Sequence, residues 1–118
     1  MQMKTIKLTK VTSPELSVIQ RQIGFYQDNI QSNIKISEID KFLDSIIELD
    51  ISLRLWFIIR SRLEKDSPAK GFTINLKPSE AAVLFKICRM EDRYFSAYWL
   101  NVIRKYRAEI DRQLKSIV

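Results

Sequence analysis

Three polar residues stand two apart in the segment 72–77: Thr73, Asn75 and Lys77, alternating with apolar Phe72, Ile74 and Leu76. If the segment is extended, the three share one face, because successive side chains point to opposite sides of a strand. Such a face suits base edges: Lys donates to guanine, Asn pairs bidentately with adenine, and Thr bonds to either more weakly. Other chemistry has fewer parts. The chain has no histidine, which removes the commonest general base and the commonest zinc ligand. Its 2 glycines cannot build a phosphate-cradling loop. Cys88 is the single cysteine and lies in an apolar helical pattern. It reads as a buried thiol with no base to activate it and no disulfide partner. Carboxylate pairs at Glu91–Asp92 and Glu109/Asp111 have no apolar surroundings and read as solvated helix ends. No catalytic residue, no metal and no cofactor is therefore expected, and the chain reads as non-enzymatic.

The charge is the second chemical signal. The 118 residues carry a formal +6. Residues 67–118 hold ten Lys/Arg against five Asp/Glu, whereas 31–66 are close to neutral. A basic carboxyl-terminal half suits a polyanion such as duplex DNA, although a solvated, solubilising surface has the same composition. Lys70, Arg93, Arg104 and Arg107 are the candidate backbone contacts beside Thr73, Asn75 and Lys77. The amino-terminal residues 1–10 lack the apolar run of a signal peptide. The most hydrophobic stretch, "SIIELDISLRLWFIIR", is broken by Glu48, Asp50 and Arg54 and falls short of a membrane span. The expectation is a cytoplasmic protein with no membrane role.

These residues need elements to hold them. "KTIKLT" alternates as a short half-buried strand, and Ser13-Pro14-Glu15 reads as a helix start with Ser13 as its cap. Leu16, Ile19, Ile23, Tyr26 and Ile30 then recur at helical spacing on one buried face. After a linker at 31–35, Ser37 and Asp40 resemble a capping box opening a long helix to about Asp66. In its first half Ile39, Phe42, Leu43, Ile46 and Leu49 share the apolar face, opposite Lys41, Asp44 and Glu48. Beyond Ile51 both faces turn apolar, which marks the centre of the core or a subunit interface. The stretch 51–60 also alternates at period two and has a rival reading as a buried strand. Asp50 and Arg54, four apart, read as a structural ion pair. A loop at 65–71, the strand 72–77, a helix from Pro78 to about Met90 and a last helix from about Asp92 to Ile117 follow. In that last helix Phe95, Trp99, Ile103, Tyr106, Ile110, Leu114 and Ile117 form one stripe.

The fold expected is mainly α with two short β-strands in the order β-α-α-β-α-α, a compact helical domain with a small two-stranded element. Residues 1–118 form a single domain containing a loose strand-helix-helix repeat, 3–66 and 72–117. The strand "FTINLK", the helix opening "PSEAAVLFKI" and "FSAYWLNVIRKY" resemble the ribbon-helix-helix family of bacterial DNA-binding proteins. The resemblance implies a homodimer whose paired strands enter the major groove, with Thr73, Asn75 and Lys77 towards the bases. It also implies that the amino end of the second helix, near Arg93 and Tyr94, anchors a phosphate. The family's inter-helix glycine is replaced here by "MEDR", and the resemblance covers less than a third of the chain. Two mates for the strand are open: a second copy of itself, or residues 4–9. The other class of function is a helical protein-interaction or self-association module, with Trp56 and Phe57 at a subunit interface.

Overall fold

The computed structural model describes residues 4–117. Met3, where the sequence repeat begins, and the other residues before Lys4 lie outside that range. The elements are β1 (Ile6–Val11), α1 (Ser13–Asn33), α2 (Ile39–Leu63), β2 (Phe72–Leu76), α3 (Pro78–Cys88) and α4 (Ala97–Lys115). The order is β-α-α-β-α-α, as the periodicities require. The segment 51–60 is helical throughout, so the strand alternative is excluded.

β1 and β2 pair with each other, antiparallel, with Ile6 opposite Leu76, Lys7 opposite Asn75 and Leu8 opposite Ile74. The next pair is Val11 with Phe72, so Thr9 and Lys10 together oppose one residue. That bulge corrects a phase problem. Strict alternation from Ile6 would turn Val11 outward, and one extra residue returns it to the core. Lys10 carries the cost, with a left-handed φ of 56°. Gly71 also has a positive φ, 84°, and a Cβ there would lie 2.8 Å from the Lys10 backbone. Only glycine fits at that crossing.

The helices start where local chemistry satisfies their free amides. Thr12, not Ser13, caps α1: its Oγ1 accepts from the Glu15 amide at 3.2 Å, and the Glu15 carboxylate accepts from the Thr12 amide at 3.0 Å. This reciprocal pair needs a three-residue spacing, which moves the start one residue earlier than the proline suggests. The box drawn at Ser37 and Asp40 does not form; Glu38 precedes α2 with no side-chain cap. α4 starts at Ala97 under a Ser96 cap (Trp99 amide to Ser96 Oγ, 3.1 Å), five residues later than expected. Residues 89–96 therefore form a real connection between α3 and α4.

The core is built from the inner faces of both strands and from one face of each helix, including Leu16, Ile19, Ile23, Leu55, Ile59, Leu84, Ile87, Ile103 and Ile110. Among the polar side chains in it, Gln22 is fully buried. Its Nε2 donates to the carbonyls of Ile87 (2.8 Å) and Met90 (2.7 Å), and its Oε1 accepts from the Trp99 indole at 2.8 Å. α1 thus closes the carboxyl end of α3, which has no glycine to turn on, and fixes the start of α4. Two tyrosine bonds complete the frame. Tyr26 donates to Glu48 (2.7 Å), linking α1 to α2, and Tyr106 donates to Glu15 (2.8 Å), linking α4 to α1. Replacing Gln22 by Leu leaves the partly buried Met90 carbonyl and Trp99 N–H without their partner at the margin of the core. The expected loss is about 2–4 kcal/mol, read as a lower urea midpoint at unchanged slope.

Candidate nucleic-acid interface

Because Ile6, Leu8, Val11, Phe72, Ile74 and Leu76 all face the core, the alternate residues form a continuous outer face on the ribbon. Thr73, Asn75 and Lys77 lie on it, exposed, beside Thr5, Lys7, Thr9 and Lys10 from β1 and its flank. Lys7 stands directly across from Asn75. Lys4 and Lys70 add charge at its borders. No Asp or Glu occurs in 4–12 or 70–77, so five lysines share this face with no carboxylate from either strand segment, and Glu80 of α3 borders it beside Lys77. The contribution of β1 was not singled out from sequence, although the alternation of "KTIKLT" carries the same signal as that of "FTINLK".

The outer edge of β1 is closed from within. Gln113 of α4 accepts from the Lys7 amide at 2.9 Å and donates to the Lys7 carbonyl at 2.7 Å, standing in for the next strand. β2, paired with β1, draws its mate from its own chain. Of the two mates the sequence leaves open, the one seen on this edge of β2 is residues 6–11 of the same chain.

The remaining predicted contacts are elsewhere. Arg104 makes two bonds to Glu91 (2.9 and 2.6 Å), and Arg107 reaches the same carboxylate at 3.3 Å. Arg93 bonds the Tyr94 hydroxyl at 2.9 Å and its guanidinium lies 4.9 Å over that ring. Arg93 and Tyr94 precede α4 rather than opening it. α4 meets the ribbon through Gln113, about 24 Å along the helix from Ala97 at 1.5 Å per residue. The proposed phosphate anchor and the strand face are therefore at different ends of α4. Of the ten cations in 67–118, six are bridged: Lys86, Arg104, Lys105, Arg107, Arg112 and Lys115. The basic half is in good part self-neutralised, and the unbridged lysines gather at the ribbon.

Among the described residues no group of three or more His, Cys, Asp or Glu side chains is placed to hold a metal. Cys88 is fully buried, and burial pushes its thiol up to about 12, which leaves no thiolate at neutral pH. A shallow concavity of about 650 Å³ between α2 and β2 is lined by Arg54, Phe57, Ile58, Asn75, Lys77 and Glu80, among others. Of the two aromatic interface candidates, Trp56 is half-buried while Phe57 is 63% exposed. No described helix is long and apolar enough to cross a membrane. Compared with known proteins, the chain matches no family model, no curated protein and no solved structure.

Glu91 is one carboxyl whose titration has a structural consequence. Hydrogen bonding from Arg104, with the charges of Arg104 and Arg107, holds its carboxyl down at about 2 against an ordinary 4.5. A depressed carboxyl stabilises the fold fully above the ordinary value and loses that contribution as pH falls from about 4.5 towards 2. The Glu91→Gln protein is expected to lack this acid-dependent step, which urea midpoints measured across that pH interval would detect.

Proposed function

We propose that this is a small, non-enzymatic DNA-binding or nucleoprotein accessory protein that meets duplex DNA with the outer face of its β1–β2 ribbon. The observation that carries the reading is that face itself. Lys4, Lys7, Lys10, Lys70 and Lys77 surround Thr5, Thr9, Thr73 and Asn75, with no carboxylate in either strand segment. A two-stranded ribbon fits the major groove, lysines replace counterions along the phosphates, and short polar side chains reach base edges. The resemblance to the ribbon-helix-helix family adds an architectural argument. That family pairs the strands of two chains, each followed by two helices; here one chain supplies two strand-helix-helix units joined by antiparallel strands. Arg104 and Arg107, held by Glu91, have no part in this reading, and Arg93 has at most a peripheral one.

The test is fluorescence anisotropy of a labelled mixed-sequence duplex, titrated at salt concentrations between about 50 and 200 mM. Affinity should fall steeply with salt. Lys7→Ala and Lys77→Ala should each lower the logarithmic salt slope by about one, and Arg104→Ala should leave it unchanged. Thr73→Ala with Asn75→Ala should preserve the slope while flattening preferences among selected sites. Absence of binding at the lowest salt would remove the nucleic-acid reading.

A further inference from the structure

α2 is amphipathic, but in its first half the apolar face is on the wrong side for the core. Ile39, Leu43 and Ile46, expected inside, are 47–57% exposed, whereas Phe42 and Leu49 of the same expected face are half-buried; Ile47, Leu53 and Phe57 extend the exposed row at 57%, 50% and 63%. Glu48, expected in solvent, is turned inward instead: it accepts the Tyr26 hydroxyl and pairs with Lys86 of α3. The core side of α2 is supplied by Ile51, Ser52, Leu55 and Ile59. Ile39, Leu43, Ile46, Asp50, Leu53 and Phe57 are spaced four, three, four, three and four apart, the repeat of a helix that packs along a second helix. A monomer gains nothing from this row in water.

The charges along α2 select its occupant. Between Ile39 and Asp50 the helix carries Asp40, Asp44, Glu48 and Asp50 against Lys41; from Ile51 to Leu63 it carries Arg54, Arg60 and Arg62 and no acid. Such polarity also suits the helix dipole, but the dipole gives no reason for an apolar row between the two halves. A second α2 laid antiparallel does: the acidic first half of each copy comes alongside the part of the other that carries Arg54, at both ends of a two-fold axis. A parallel arrangement would stack like charges and set Asp50 against Asp50.

We infer that the outer face of α2 binds a second copy of this chain, antiparallel, about an axis near Glu48. In that register Ile39 meets Phe57 of the second copy, Leu43 meets its Leu53, the two Ile47 side chains flank the axis one residue to either side, and Asp40 lies beside Arg54. Asp50 falls opposite Ile46, where its own Arg54, 3.6 Å away, neutralises it at the edge of the contact. This interface uses no strand edge, and it comes next to the ribbon only where Phe57 and Arg54 line the concavity with Asn75 and Lys77.

Sedimentation equilibrium of the full chain, without nucleic acid and at up to about 0.1 mM, is the direct test. The wild type should sediment as a dimer. Leu43→Glu with Leu53→Glu should give monomers with unchanged circular dichroism and melting, because both sites are exposed. Asp40→Arg should weaken the dimer about tenfold, because it sets like charges beside Arg54 of the second copy. For direction, Ile39→Cys and Phe57→Cys proteins, in which Cys88 stays buried, should oxidise to the mixed dimer and not with themselves. A monomeric wild type, a dimer indifferent to the Leu43 and Leu53 changes, or self-crosslinking of Ile39→Cys would each overturn the inference.

Discussion

A primary amide with nowhere else to go holds this fold together. Gln22 is fully buried, and a buried amide left unpaired would be costly. It spends its bonds where the chain has no alternative: on carbonyls at the end of α3, in a connection that contains no glycine, and on the indole that opens α4. α1 must therefore pass beside the α3–α4 turn at a fixed height. That position sets α4 along the outer edge of β1, where Gln113 closes the strand, and brings Lys105 and Tyr106 onto Glu15 at the start of α1. The ribbon's outer face is left open because everything around it is anchored from the inner side.

Much of this was legible in the sequence, for local reasons. Strand alternation in 4–9 and 72–77, the stripe Leu16–Ile30 and the stripe Phe95–Ile117 each follow from periodicity of side chains against one core. The face of α2 was misread because the same rule assumes that an apolar face finds the core of its own chain. Here Glu48, bonded to Tyr26 and Lys86, occupies that side, and the rule has no means of seeing a bond from residues 26 and 86. The start of α4 was misplaced for a related reason: "MEDRYF" has acceptable helix formers, but Asp92 bonds the Tyr94 amide at 2.8 Å and the Ser96 hydroxyl takes the first turn. Candidate site residues followed the same division. Thr73, Asn75 and Lys77 share the face expected of them, while Arg104 and Arg107 are consumed by a carboxylate more than ten residues away in sequence. Their partners in the site, Lys7 and Lys10, come from the other end of the chain.

The molecule thus presents two surfaces with opposite physics. The ribbon is small, wet and cationic, and any attraction it exerts on a polyanion is long-ranged and screened by salt. The row on α2 is apolar and bordered by charges of both signs, so what it offers is short-ranged and depends on fit. They adjoin at one place, the concavity where Phe57 and Arg54 come next to Asn75 and Lys77.

The closure of β1 by Gln113 also has a consequence for the order in which the chain assembles. β1 pairs with residues about sixty-five positions later, and its other edge is completed by an amide 106 positions away. On a ribosome the first strand emerges long before either. The α1–α2 pair, joined by Tyr26 and Glu48, has its contacts ready early, whereas the strand that precedes it waits as an uncovered edge until residue 113 has left the tunnel. The lysines spaced along that strand then serve a purpose before the fold exists: like charges on neighbouring nascent chains keep their unfinished edges apart.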